Sequence, residues 1–201
     1  MRAGAIWDWP DTRYRRNTRA VAPLIFWSYA GLTITRQMMK TSDPVLRNAI
    51  SKTINREYGL YLRGEKVFGT LERETRIQAL APAQCIHCGS DKATEMDHLM
   101  PRSRGGLNMA FNTVTSCGPC NRQRGKQDLM AWYRKRRSFP CLALTRHYLK
   151  LAHRCASEMQ LLHQTPEEAV AHGLPFDPRL LPSRYPPVED VIWDWRFPYK
   201  V

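Results

Sequence analysis

Apolar positions along the chain recur mostly at helical spacing. From Ala20 to Ile34 nearly every residue is apolar, interrupted by Pro23, Ser28 and Gly31. The run is shorter than the roughly 18–20 residues a bilayer span needs, so a core-forming helix or strand is expected. Asp43 can cap a following helix and Pro44 suits its first position. Leu46, Ile50 and Ile54 share one face of that helix, and Gly59 is expected to end it. A second helix is predicted over about 65–80, with Phe68, Leu71 and Thr75 on one side and Pro82 closing it. Helical spacing returns at 127–137, and again at Leu142, Thr145, Leu149, Ala152, Ala156 and Met159, where a long helix is predicted. Thr165-Pro166-Glu167-Glu168 reads as a capping box opening a short helix that ends at Gly173. From Pro175 onward lie 6 of the 14 prolines. An extended arm wrapping the body is expected there, because its aromatic side chains need burial.

Only the middle of the chain changes period. Ala93-Thr94-Glu95-Met96 alternates into Asp97-His98, which suits a strand. Pro101, Gly105 and Gly106 mark a loop, 107–115 can form the return strand, and 117–126 begins a helix. The fold class is therefore α+β and mainly helical. Residues 1–80 form a mostly helical extension for substrate or partner binding, 81–137 a central module, and 138–201 a C-terminal helix with a Pro-rich arm.

Charge sharpens this picture. The formal net charge is +13, and all of the excess lies in two stretches. Residues 1–40 carry seven basic and two acidic side chains, and residues 101–137 carry nine basic residues against Asp128 alone. A field of one sign attracts a polyanion, and nucleic acid is the usual one; the plain alternative is a solvated surface. The mixed charge ahead of the apolar run makes a poor signal peptide, so a cytoplasmic protein with no membrane partner is expected. The Arg-rich, acid-free stretch 12–42 leaves organelle targeting open. Ile6-Trp7-Asp8-Trp9 and Ile192-Trp193-Asp194-Trp195 echo each other near the two ends. They read as aromatic anchors pinning the termini, with partner binding or base stacking as the alternative.

The candidate chemistry sits between Cys85 and Lys126. Four of six cysteines form two C-x2-C pairs, Cys85/Cys88 and Cys117/Cys120, separated by 28 residues. Each pair turns the backbone so that both sulfurs face one ion, and together they make a closed four-thiolate zinc site of structural type. His87, inside the first knuckle, is expected at the surface because four cysteines already fill the shell. Asp97-His98 ends the first strand, Asn112 lies 14 residues after His98, and Asn121 follows the last cysteine directly. Arg102, Arg104, Arg122, Arg124 and Lys126 flank these groups as expected phosphate contacts. Trp132 and Tyr133 are expected in the core. The Arg134–Arg137 run either extends the basic footprint or is a solvated helix end.

This ordered set (C-x2-C, Asp-His, Pro-x-Ser-x-Gly-Gly, Asn, C-x2-C-Asn, Gly-Lys) resembles the HNH endonucleases of the ββα-metal fold, in the branch stapled by four cysteines. The resemblance covers about a quarter of the chain; the flanks match no pattern. It implies that His98 is the general base activating water and that Asp97 and Asn121 are ligands of one catalytic cation. It implies that Asn112 orients the His strand and loop, and that cleavage leaves 5′-phosphate and 3′-hydroxyl ends. The final position is Asn121 where other branches carry His. Without the family, the chemistry agrees: an imidazole can accept a proton near neutral pH, and oxygen donors suit Mg2+ or Mn2+. The expected function is metal-dependent hydrolysis of DNA phosphodiester bonds, in restriction or host defence or as the nuclease subunit of a complex. Duplex DNA is favoured as partner, RNA is left open, and a homodimer or larger nucleoprotein complex is plausible. The alternatives are a non-catalytic zinc-dependent nucleic-acid-binding or assembly module, and a mobile-element or junction-resolving nuclease.

Overall fold

The computed structural model describes residues 20–40, 50–92 and 95–193. Its elements in chain order are α1 (Val21–Met38), α2 (Ile50–Leu62), α3 (Leu71–Ala79), β1 (Glu95–His98), β2 (Thr113–Ser116), α4 (Gly118–Arg124), α5 (Leu129–Lys135), α6 (Leu142–Glu158) and α7 (Pro166–Ala171). Short 3-10 turns lie at Arg102–Arg104, Ala110–Asn112 and Pro178–Leu180. The described chain is mainly helical with one two-stranded antiparallel sheet, as the α+β expectation requires.

The apolar run beginning at Ala20 is helix α1, and it is buried along most of its length. Its N-terminus has no side-chain cap. Two of its orphan N–H groups are satisfied from outside, Val21 by the Gln164 carbonyl at 3.0 Å and Ala22 by that of Leu162 at 2.9 Å. α1 packs on α2 and α6. Helix α2 does not end at Gly59 as expected; it runs on to Leu62, and the left-handed break comes at Gly64. A glycine inside a helix is tolerated where packing supplies the stability. The expected start of this helix at Asp43 and Pro44, with Leu46, lies outside the described residues. α3 is shorter than expected because Thr70 caps it, accepting from Arg73 N, so Phe68 precedes the helix. Phe68 instead joins an aromatic cluster with Phe26, Tyr29, Tyr61 and His153.

α6 is the long helix expected, and the capping box at Thr165 and Glu168 opens α7 with both reciprocal bonds. Glu74 of α3 is 1 % exposed and accepts from Arg146 (2.6 Å) and Lys150 (2.5 Å) of α6. This buried carboxylate ties the helices before and after the sheet to each other. The described part of the proline-rich segment packs on α1. Trp27 donates to the Ser183 carbonyl at 2.9 Å, Tyr185 donates to that of Ser28 at 2.8 Å, and Phe176 is fully buried. Gly31 makes room for the arm, since a Cβ there would lie 2.9 Å from the Tyr185 ring. Trp193 of the second Trp-rich motif packs against the core with the guanidinium groups of Arg36 and Arg146 over its ring, at 4.4 and 4.8 Å. Its last two residues and the whole first motif lie outside the described residues. One continuous buried cluster includes residues of α1, the first cysteine knuckle, the sheet, α5, α6 and the arm.

Candidate functional site

β1 and β2 pair with Glu95 opposite Ser116, Asp97 opposite Val114 and His98 opposite Thr113. The return strand is shorter than the expected 107–115, because a 3-10 turn at Ala110–Asn112 interrupts it. Residues 93 and 94, expected to begin the first strand, lie outside the described residues. The first knuckle leans on the sheet through Ile86 N to the Thr115 carbonyl at 3.1 Å, and turns at Gly89, whose φ is +75°. The second knuckle opens α4, with Cys117 as N-cap.

The four sulfurs of Cys85, Cys88, Cys117 and Cys120 lie within 4.8 Å of one another, and no cysteine is in a disulfide. Thiolates placed tetrahedrally at about 2.3 Å from zinc are about 3.8 Å apart. Cys88 and Cys117 are 3.7 Å apart, so the cluster fits a tetrahedral ion. Burial pushes the Cys85 thiol up, but backbone N–H groups at Cys117, Cys88 and His87 outweigh it and bring it down to about 7. Burial and neighbouring sulfurs push Cys88 and Cys120 up. Four thiolates this close need a cation to ionise together.

His87 departs from expectation. Its side chain is buried, not at the surface. Its ring stands edge-on to Trp132, Nε2 is 3.0 Å from Asp97 Oδ2, and Nδ1 is 3.0 Å from the Tyr133 hydroxyl. Burial drives the His87 pKa down despite the Asp97 carboxylate, so the ring is neutral, donates from Nε2 to Asp97 and accepts from Tyr133. Trp132 and Tyr133 are core residues, as expected.

Asp97 and Arg124 form the second unexpected feature. Arg124 is 1 % exposed and cannot serve as a surface phosphate contact. Its Nε donates to Asp97 Oδ2 at 2.7 Å, Nη2 donates to Asp97 Oδ1 and to the His98 carbonyl, and Nη1 donates to the Gln127 carbonyl at 3.0 Å. The guanidinium is spent on its own chain. Burial acts to raise the Asp97 carboxyl, but the His87 and Arg124 hydrogen bonds outweigh it and hold the carboxyl below its usual range. Arg124→Met is expected to leave that carboxylate buried without its cation and to cost roughly 3–5 kcal/mol. A denaturant midpoint equal to wild type would contradict this linkage.

Glu95 and Asp97 share one face of β1, toward α4, where residues three apart share a face. Asn121 therefore stands over Glu95, its Nδ2 2.7 Å from Glu95 Oε2, while Arg124 stands over Asp97. The structure thus joins Asn121 directly to Glu95, and Asp97 to Arg124 and His87. Oxygen donors of Glu95, Asp97 and Asn121 suit a hard divalent cation by type, but in this structure both Asp97 oxygens are taken by Arg124 and His87 and Asn121 bonds Glu95. Period-two alternation could have pointed to Glu95, two residues before Asp97. Asn112 is fully buried: Oδ1 accepts from Met100 N at 2.8 Å, and Nδ2 donates to the carbonyls of Met100 at 3.0 Å and Leu107 at 2.6 Å. It ties both ends of the loop after His98. Gly105 (φ +90°) turns this loop, and a Cβ on Gly106 would lie 1.9 Å from the Met100 carbonyl oxygen, so only glycine fits. His98 lies on the other face of β1, partly exposed, with Nε2 2.9 Å from Asn108 Oδ1. Arg102, Arg122 and Lys126 are exposed and Arg104 is half-buried. Arg136, in the Arg134–Arg137 run, is exposed and stacks over Trp132 at 4.6 Å.

Residues 85–130 match the family described as HNH endonuclease. The match covers less than a quarter of the chain and spans both cysteine pairs, Asp97, His98, Asn112 and Asn121. No curated protein and no solved structure matches the chain. An HNH segment points to nuclease chemistry on nucleic acid. No helix among the described residues is long and apolar enough to cross a membrane.

Proposed function

We propose that the protein is a metal-dependent HNH endonuclease that hydrolyses DNA phosphodiester bonds. The observation that carries this reading is the match over residues 85–130, which takes in a four-sulfur cluster fit for zinc. Zinc held by Cys85, Cys88, Cys117 and Cys120 is structural, because four thiolates leave no open position for substrate.

His98 takes a proton from the attacking water. Asp97, once an oxygen is released from Arg124, and Asn121 would hold the catalytic Mg2+ or Mn2+, which would supply charge stabilisation at the scissile phosphate. Asn112 acts through the backbone, holding the loop and the strand end that carries His98. Arg102, Arg104, Arg122 and Lys126 contact phosphates, and Arg124 positions Asp97 from within. The small central module leaves target choice to residues 1–80 and 138–201, or to a partner subunit, in restriction or host defence. Duplex DNA is the favoured substrate.

Mn2+ binding, followed by electron paramagnetic resonance on the zinc-loaded chain, tests the cation ligands. Asn121→Ala and Asp97→Asn are each expected to weaken binding at least tenfold. Glu95→Gln, whose side chain hydrogen-bonds Asn121, is expected to weaken it less. Wild-type affinity in Asn121→Ala and Asp97→Asn would remove the catalytic cation from this site and leave the non-catalytic nucleic-acid-binding reading.

A further inference from the structure

The loop between the two strands carries a second polar residue at the His98 ring. Asn108 is exposed, and its neighbours on both sides are anchored. The Leu107 carbonyl accepts from Asn112 Nδ2 at 2.6 Å, and the Met109 carbonyl accepts from Asn112 N at 2.8 Å. His98 is anchored by Arg124 as well as by Asn112. Its carbonyl accepts from Arg124, and the next backbone N–H, at Leu99, donates to the Asn112 carbonyl at 2.8 Å. Two side chains on backbones that are both held in place thus meet at 2.9 Å between His98 Nε2 and Asn108 Oδ1.

A hydrogen bond between partly exposed side chains adds little stability, because water offers the same partners. What it does set is the ring. A neutral imidazole carries one N–H and one lone pair, and the group on one nitrogen decides which atom remains basic. An amide oxygen at Nε2 requires the proton there and leaves the lone pair on Nδ1.

We propose that Asn108 is the positioning residue of the general base: its side-chain oxygen holds the His98 ring through Nε2–H and so makes Nδ1 the atom that accepts the proton from water. The proposal rests on the reading of His98 as the base. In the step itself Nδ1 takes one proton from the attacking water while the water oxygen forms its bond to phosphorus and the leaving sugar oxygen departs with its bonding pair. Asn108 exchanges no proton and touches neither water nor phosphate. An error of about 1 Å in such a group costs on the order of a hundredfold in rate, so the loss of one orienting bond is expected to cost roughly tenfold to a hundredfold.

The test uses the full zinc-loaded chain labelled with 15N in histidine. Long-range proton–nitrogen correlation reads the His98 tautomer, ring relaxation reads its order, and plasmid cleavage gives kcat and KM. Wild type is expected to show a single Nε2–H tautomer with an ordered ring. Asn108→Leu keeps the size and removes the acceptor. It should melt with wild type, lose ring order, and lose about tenfold to a hundredfold in kcat with little change in KM. Asn108→Asp restores an acceptor oxygen and is expected to recover ring order and most of kcat, with a higher KM from its added charge. An Nδ1–H tautomer in wild type overturns the proposal. So does an Asn108→Leu protein that cuts at the wild-type rate, and in that case His98 as base still stands. A wild type that never cuts overturns the base reading and this proposal together.

Discussion

Stripping the ion from Cys85, Cys88, Cys117 and Cys120 is expected to unfold the segment from the first knuckle through α4. The sheet there has two strands of four residues each, and so small a hairpin is not stable by itself. Zinc binding of this type carries roughly 10–16 kcal/mol of apparent folding free energy in small peptides, more than the whole stability of many domains. Burial and sulfur neighbours already resist ionisation at Cys88 and Cys120, so the cluster without its cation must reprotonate or open. The damage should spread along the His87 ring to Asp97 and Tyr133. Chelation, or Cys117→Ser, should therefore erase amide protection at Leu99 and Met100 and lower the melting temperature sharply, with zinc content falling in step. A chelated chain that melts unchanged and keeps that protection would show that the cysteines are not the staple.

The second large effect is kinetic. His98→Ala is expected to lower kcat by roughly 10²- to 10⁴-fold, the usual range for a lost general base. KM should hardly move, because the exposed side chains proposed to contact phosphate, Arg102, Arg122 and Lys126, are untouched. The fold should also survive, since the ring is partly exposed and its side-chain partner Asn108 is exposed as well. Equal losses in DNA affinity and cleavage would make His98 a binding residue and not the base.

Much of this was legible from residue order. Two C-x2-C pairs brought the sulfurs together because a tight knuckle allows little else, and α6 and the capping box at Thr165 followed from apolar spacing and capping chemistry, while the apolar run that forms α1 read as core but left helix and strand open. Helix ends were less legible, as at Gly59, where tertiary packing carried α2 past a residue that alone would stop it. The pairings within the candidate site were not legible. Arg124 and Arg122 look alike in sequence, yet two positions along a helix, about half a turn, put one inside against Asp97 and leave the other exposed beside Glu95. His87 looked like a knuckle surface residue because nothing local reveals that Tyr133, 46 positions away, closes over it. Asn108 carried no signal at all, since its role depends on two backbone anchors supplied by Asn112.

Cleavage of supercoiled plasmid in Mg2+ or Mn2+, by zinc-loaded wild type beside His98→Ala and Asn121→Ala, tests the nuclease reading most directly. Wild type is expected to nick or linearise the plasmid and to stop on chelation of the added cation, while both variants keep their zinc and lose activity. A folded, zinc-loaded wild type that binds the plasmid and leaves it intact, or variants that cut as fast as wild type, would contradict it.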